Sequence, residues 1–260
     1  MSDKIRVTTV SYLNTKPFLK GLTESSVKDE IDLSLEMPSQ SADKLIKGEA
    51  DLGLVPVTVL PHLQNANIIS DYCIGCEGAV KTVCLFGNVS VVEMEKVLLD
   101  YQSKTSVELV KVLFSHLWNG YPIYEAGEEG YEQEIDGTTG GVVIGDRAID
   151  LSHKFNFVYD LGEAWHQMTG LPFVFATWIT TKELSEEFRN RFNQALGEGV
   201  AQKDEVAKQY QQQYEDSFDV ARYYSNNISF ELDHVKREAI NIFLTYLEGE
   251  KMEGISEELL

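Results

Sequence analysis

The chain has 260 residues, of which 43% are hydrophobic, enough for one large domain or two small ones. Its 42 acidic and 22 basic residues give a formal net charge of −20, which repels nucleic acids and anionic membranes, so neither is expected as a partner. The sequence has no apolar run of the roughly 18 residues that a membrane span requires. It enters its first strand without an apolar leader, which predicts a cytoplasmic protein.

The first strand and the turn after it carry an unusual number of polar groups. The β-branched run Val7–Val10 predicts a strand, and Pro17 is typical of the first turn of a helix. Between them lie Ser11, Tyr12 and Asn14, with more hydrogen-bonding side chains than a short connection needs. Such a loop lies at the carboxyl end of a strand, where α/β sheets bind ligands. The alternative is an asparagine in an ordinary tight turn.

The next segments repeat a strand-then-helix pattern. Residues 31–37 and 50–56 are predicted strands, and residues 39–47 a helix. Three such units within about sixty residues predict a parallel sheet covered by helices. Two more strands are predicted at 67–71 and 79–86, with Thr82 inside the second and a glycine-containing turn between them. Thr82 is either a satisfied core hydroxyl or a site residue.

The three cysteines are Cys73, Cys76 and Cys84. The first two have CxxC spacing, but a structural zinc site needs four ligands and no second pair occurs. A redox CxxC opens a helix, whereas this one lies among strand-like residues. We therefore expect buried, small apolar side chains and no metal; a metal or redox role is the alternative.

A second block begins with a candidate strand at 96–99 and a helix over residues 107–118. Thr105 and Glu108 have capping-box spacing, and the helix start also offers N–H groups that suit a carboxylate. Capping alone would explain Thr105 equally well. The glycine-rich strand 140–146 ends at Asp146, which either accepts N–H bonds in a turn or contributes to a site.

The remaining chain is predicted to hold a long strand over 170–180 and a mostly helical end. We predict an α/β protein with two lobes, the first formed by residues 1–86 and 177–260 and the second by residues 87–176. A cleft between such lobes would collect Asn14, Thr82, Thr105 and Asp146. Clefts of this kind are common ligand sites.

Several segments together resemble the chorismate dehydratase family of the futalosine route to menaquinone. The resemblance covers residues 5–180 and rests on Val10–Pro17, Gly53–Val57, Gly75–Val80, Ser103–Val107, Ile144–Asp146 and Leu171–Trp178. It implies the two-lobed type II fold of periplasmic binding proteins, used here by a cytosolic enzyme. It also implies a carbon–oxygen lyase that needs no cofactor and removes water from chorismate to give 3-[(1-carboxyvinyl)oxy]benzoate.

The resemblance also implies roles for individual residues. Asn14 and Thr82 match the family's working side chains, although many members carry serine where this chain has Thr82. The substrate-binding positions are then Ser11, Tyr12, Thr105, Ser106, Val107, Gly145 and Asp146. The base that takes the ring proton is either the substrate's own enolpyruvyl carboxylate or Asp146.

Two other functions are compatible with the sequence. The same fold mostly captures solutes for transporters, so a non-catalytic protein that binds small carboxylates is one alternative. A ligand-sensing domain of a regulator is the other, although no basic DNA-reading segment accompanies it. The sequence makes no prediction of the oligomeric state.

Overall fold

A computed structural model describes residues 4–214 and 217–257, and these form two compact units. The described residues of unit 1 fall within Met1–Cys76, Gln102–Lys104 and Phe175–Leu232. Those of unit 2 fall within Glu77–Tyr101, Thr105–Val174 and Asp233–Leu260. Each unit has its own β-sheet. No helix in the described ranges is long and apolar enough to cross a membrane.

The strands of the described chain are β1 Ile5–Val10, β2 Ile31–Glu36, β3 Leu52–Pro56, β4 Asn67–Cys76, β5 Val83–Gly87, β6 Lys96–Leu99, β7 Ile123–Ala126, β8 Thr139–Ile144, β9 Phe157–Asp160, β10 Phe173–Thr180 and β11 Ser229–Glu231. The α-helices are α1 Lys16–Glu24, α2 Pro38–Ile46, α3 Thr105–Leu113, α4 Asp146–Leu151, α5 Leu161–Thr169, α6 Glu186–Ala201, α7 Lys203–Gln211, α8 Val220–Arg222 and α9 His234–Glu257.

The sheet of unit 1 has six strands in the order β11-β4-β10-β3-β1-β2. β1 runs parallel to β2 and β3, as the strand-then-helix pattern predicted, and β10 is antiparallel to β3. The third predicted strand–helix unit differs from the prediction, because a 3₁₀ segment, Val57–His62, follows β3 in place of an α-helix. The alternation of apolar residues along β2 would place Leu35 on the buried face. Because β2 lies at the sheet edge, Leu35 is instead half exposed.

The sheet of unit 2 has five strands in the order β7-β6-β8-β5-β9. β6 is parallel to β7 and β8, while β5 is antiparallel to β8 and β9. Apolar side chains fill this unit: the ring of Phe243 in α9 packs 4.9 Å from Phe173 and 5.7 Å from Trp165. Burial of such aromatic rings supplies much of the stabilisation of a core.

The unit boundaries differ from the predicted lobes 1–86 with 177–260 and 87–176. Residues 77–86 fall in unit 2, because β5 pairs with β8 and β9 of that sheet. The last helix also falls in unit 2, because its aromatic face packs there. In the other direction, Gln102–Lys104 joins unit 1, where Lys104 forms an ion pair with Asp43 at 2.9 Å.

The predicted strand 79–86 begins later than expected. β4 extends to Cys76, and β5 starts only at Val83, so Thr82 lies in the bend before the strand rather than inside it. Gly75 of the predicted glycine-containing turn is part of β4, and the residue with a left-handed backbone conformation is Lys81, which has a φ of 68°. Long-range hydrogen bonds to Lys81, described below, stabilise this uncommon conformation.

Candidate functional site

The Asn14 turn, Ser11–Thr15, connects β1 to α1 in unit 1. Its last three residues, Leu13–Thr15, form one 3₁₀ turn, and α1 follows at once with Pro17 in its first turn. The Asn14 side chain is half-buried, yet its Oδ1 atom is buried and accepts no hydrogen bond from the described residues. An unpaired buried acceptor costs about 1–3 kcal/mol. Such groups in a native fold call for an explanation, and a bound ligand is one.

Side-chain hydroxyls hold the backbone of the Asn14 turn. Thr15 Oγ1 donates to the carbonyl oxygens of Val10 at 2.7 Å and Tyr12 at 2.8 Å. The buried Tyr224 donates its hydroxyl to the carbonyl oxygen of Leu13 at 2.8 Å. The sequence analysis missed Tyr224, since a partner more than two hundred positions away leaves no local signal.

The two other predicted residues of this turn differ in exposure. Ser11 is exposed, and Tyr12 is half-buried. The Tyr12 hydroxyl donates to Oε1 of Gln102, a residue of the separate segment that belongs to unit 1. Ser11, Tyr12 and Asn14 therefore lie together at the carboxyl end of β1, as the sequence predicted for a ligand-binding loop.

Thr82 belongs to unit 2 and lies at the start of β5. It is only 1% exposed, and its carbonyl oxygen accepts the N–H of Gly145 at 2.8 Å. Gly145 has a φ of 67° and immediately precedes α4. The structure thus brings Thr82 and the Gly145–Asp146 turn together within one unit. The deep burial of Thr82 suits a core hydroxyl as well as a site residue.

Asp160 fixes the bend that carries Thr82. Its carboxylate accepts N–H groups from Val80 at 3.0 Å and Lys81 at 2.6 Å, and it also caps α5 through Gly162 and Glu163. Burial raises the pKa of Asp160, while these N–H groups stabilise its ionised form. The sequence analysis missed this residue, although an Asp three positions before Glu163 has capping spacing.

The remaining predicted binding residues of unit 2 lie at two helix starts. Thr105 is the first residue of α3, and it and Ser106 are almost fully buried, whereas Val107 is half-buried. Asp146 is half-buried and begins α4. The N–H groups at a helix start favour negative charge, and the nine-residue α3 has a longer run of aligned peptide dipoles than the six-residue α4.

The sequence analysis also missed a buried carboxylate beside the Gly145–Asp146 turn. Asp100 accepts the N–H of Ile144 at 2.9 Å and pairs with Arg147 at 2.6 Å. Burial opposes ionisation of Arg147, but the Asp100 charge outweighs it and raises the pKa of the guanidinium. This pair anchors the end of β8 and the start of α4, and so fixes the turn between them.

The three cysteines are buried, as predicted. Cys73 and Cys76 both lie in β4, and residues three apart in a strand point to opposite faces, so these two do not converge on one ion. Burial raises the pKa of the Cys84 thiol well above its usual value. Among the described residues no group of three or more His, Cys, Asp or Glu side chains is arranged to hold a metal ion.

Two surface pockets of unit 2 contain none of the predicted site residues. One, of about 440 Å³, is lined by α4 and the loop after it, including Arg147 and Lys154. The other, of about 430 Å³, lies along α5 and includes Trp118, Tyr159 and Glu163. The second has two carboxylates and no Lys or Arg among the described residues that line it, which does not suit an anionic ligand, whereas the first combines two carboxylates with two cations.

Comparison with known proteins identifies relatives of this chain. A family model described as menaquinone biosynthesis matches residues 5–249. The chorismate dehydratase of Thermus thermophilus is 31% identical in an alignment of 192 residues that covers 66% of this chain and 70% of that protein. Both findings agree with the resemblance seen in the sequence.

Solved structures confirm the fold. A protein from Archaeoglobus fulgidus is similar with a TM-score of 0.74 at 16% identity, over 96% of this chain and 99% of that one. A Candida albicans protein described as having the generic periplasmic binding protein fold gives 0.61 at 10% identity, over 97% and 90%. The periplasmic aliphatic sulphonate binding protein of Escherichia coli gives 0.59 at 13% identity, over 98% and 89%.

The predicted two-lobed α/β fold of periplasmic binding proteins is thereby confirmed, and the family model spans nearly all of the described residues. The chain belongs to the menaquinone biosynthesis family, and the Thermus thermophilus chorismate dehydratase is its relative.

Proposed function

We propose that this protein is a chorismate dehydratase, a carbon–oxygen lyase of the cytoplasmic futalosine route to menaquinone. The observation that carries the proposal is the buried, unpaired Oδ1 of Asn14 at the carboxyl end of β1. The 31% identity with a chorismate dehydratase supports the choice of substrate. The product would be 3-[(1-carboxyvinyl)oxy]benzoate.

The reaction requires orientation more than strong acid–base chemistry. Chorismate loses its ring C3 proton and its C4 hydroxyl as one molecule of water, and the ring becomes aromatic. Asn14 Oδ1 is an acceptor, so it is suited to receive a hydrogen bond from the C4 hydroxyl, the one hydroxyl of chorismate, and to hold it in place together with Thr82. Correct positioning of a reactive conformer can lower a barrier by several kcal/mol.

We assign the departing hydroxyl to Thr82, whose own hydroxyl would orient or assist it. Chorismate carries two carboxylates, and a chain of net charge −20 has to bind them with local dipoles. The α3 start at Thr105, Ser106 and Val107 is proposed for one carboxylate. The Ser11–Tyr12 segment or the Gly145–Asp146 turn is proposed for the other end of the substrate.

The proton acceptor has two candidates. The family resemblance favours the substrate's own enolpyruvyl carboxylate, and Asp146, the single acidic side chain among the proposed site residues, is the alternative. A pH–rate profile of Asp146→Asn separates them: loss of the acidic limb would identify Asp146 as the base, and an unchanged limb would identify the substrate.

The proposed function is tested by incubating the purified protein with chorismate. We expect an aromatic product, lighter than chorismate by one water, whose formation rate is proportional to protein concentration. Asn14→Ala protein prepared in the same way is the control for a contaminating activity. Saturable binding of chorismate without turnover would instead favour the carboxylate-binding alternative, which the fold of the sulphonate binding protein supports.

A further inference from the structure

Two buried hydroxyls bind carbonyl oxygens of the Asn14 turn, in addition to the backbone hydrogen bonds from Thr15 N–H to Tyr12 and from Lys16 N–H to Leu13. Thr15 Oγ1 donates to the carbonyl oxygens of Val10 and Tyr12, and the Tyr224 hydroxyl donates to that of Leu13. Both residues are fully buried. The residue between these anchors is Asn14, and its Oδ1 has no partner in the described chain. The backbone is therefore fixed while the amide oxygen is left available.

Tyr224 is itself rigidly placed within unit 1. It lies in a π-helical turn, Tyr223–Asn227, directly after α8, and such turns commonly mark functional positions. Its ring is 6.1 Å from that of Phe230, which in turn packs at 5.4 Å against Phe18 of α1. The hydroxyl and the ring thus contact both the turn before α1 and the packing beneath that helix.

We propose that Tyr224 is a positioning residue for the dehydration: its hydroxyl sets the orientation of the Asn14 amide through the Leu13 carbonyl. The inference rests on the proposed function for its kinetic consequence. Tyr224 does not touch the substrate in this proposal. It limits the freedom of the peptide that carries Asn14, and so preserves the geometry on which a positioned hydrogen bond depends.

The kinetic consequence is specific to the step after binding. Tyr224→Phe removes the hydroxyl and keeps the ring packed against Phe230. Because a misplaced amide weakens the transition-state contact more than ground-state binding, we expect kcat to fall about ten- to hundredfold, with KM changed less than about threefold. In an Asn14→Ala background the same change should have almost no further effect, since there is no amide left to position.

The matched control is Thr180→Val in the same unit. Thr180 is buried, and its hydroxyl also donates to a backbone carbonyl, that of Asp51, at 2.7 Å. Both variants therefore lose one buried hydroxyl bonded to the main chain while keeping nearly the same side-chain shape. We expect kcat of Thr180→Val to stay within about twofold of the unchanged protein when compared at a temperature where both variants are folded.

A second readout does not depend on turnover. The ¹⁵N–¹H resonances of the Asn14 side-chain amide are assigned by their loss in Asn14→Ala. We expect them to shift or broaden in Tyr224→Phe and to stay in place in Thr180→Val. If the unchanged protein does not convert chorismate, the proposed function fails, and this spectrum still decides whether Tyr224 positions Asn14.

Two results overturn the inference in an active protein. One is a Tyr224→Phe enzyme with unchanged kcat and unchanged Asn14 resonances. The other is a full additional loss of kcat in the Asn14→Ala background, because independent effects add and would show that Tyr224 does not act through Asn14.

Discussion

Asn14 carries a buried polar atom without a partner within the described chain, in a turn that other side chains hold in place. Its side chain is half-buried in a turn whose carbonyl oxygens accept from Thr15 and Tyr224, yet its Oδ1 is buried without a donor among the described residues. An unpaired buried oxygen contributes nothing to folding. A use in ligand binding explains its cost, so its removal should reduce activity much more than stability.

Asn14→Ala should separate activity from stability. We expect kcat for chorismate to fall tenfold or more, since one positioned hydrogen bond is lost, while the free energy of unfolding falls by less than about 1 kcal/mol or rises. Steady-state kinetics and chemical denaturation measure the two quantities. Asn67→Ala, which removes an exposed asparagine of the same unit, should change neither. Full turnover by folded Asn14→Ala would remove this residue from the mechanism.

Thr82 needs a test that distinguishes its hydroxyl from its volume. Thr82→Val keeps the shape and should reduce kcat, whereas Thr82→Ser keeps the hydroxyl and should retain most of it. The control is Thr177→Val, a buried threonine of unit 1 outside the proposed site. Thr82 is a core residue if Thr82→Val stays fully active and its free energy of unfolding falls no further than that of Thr177→Val.

At the scale of elements, long-range carboxylate contacts determine features that local sequence does not. The sequence predicted β1, its turn and the parallel pairing of β1 with β2, because alternation, Pro17 and strand–helix order are local signals. It did not predict the start of β5. The bend before that strand depends on Asp160, about eighty positions away, which holds Lys81 in a left-handed conformation that glycine normally adopts.

The position of β1 beside β3 also depends on a carboxylate distant in sequence. Asp51, just before β3, receives hydrogen bonds from Arg6 of β1 and forms an ion pair with Lys182, which follows β10. Burial alone would raise the pKa of Asp51, but these partners outweigh it and hold that pKa well below its usual value. One carboxylate thereby joins three neighbouring strands of unit 1.

Asp51→Asn should therefore destabilise the protein in a pH-dependent way. A carboxyl group whose pKa is depressed on folding contributes its full stability above its unfolded pKa of about 4, and loses it as the pH falls further. We expect Asp51→Asn to lower the free energy of unfolding by about 1–3 kcal/mol at pH 7, and the difference from the unchanged protein to shrink below pH 4, measured by urea unfolding.

The control is Glu30→Gln, which breaks the more exposed pair with Arg191 and should lower the free energy of unfolding by less than about 1 kcal/mol. A pH-independent effect of Asp51→Asn would show that its charge is not what stabilises the sheet.

At the scale of the whole molecule, the sequence predicted the α/β class and a chain that leaves and returns to its first lobe. The exact boundaries were not predictable, because they depend on which sheet a short strand joins and where the last helix packs. β5 and the aromatic residues of α9 carry no local mark of belonging to unit 2. Asn14 was predictable because its turn is local, whereas Tyr224, Asp160 and Asp100 act through contacts distant in sequence.

The net charge of −20 gives the proposed function a distinctive salt dependence. Long-range repulsion opposes the approach of a dianion, and salt screens it: the Debye length falls from about 30 Å at 0.01 M to about 8 Å at 0.15 M. Partly buried N–H dipoles at a helix start are screened much less than exposed charges. We therefore expect kcat/KM for chorismate to rise about twofold or more over this range at pH 7, with kcat little changed. Varying the salt between sodium chloride and potassium chloride controls for a specific ion effect. A steep fall of kcat/KM with salt would mean that exposed cationic side chains, rather than N–H groups, hold the two carboxylates.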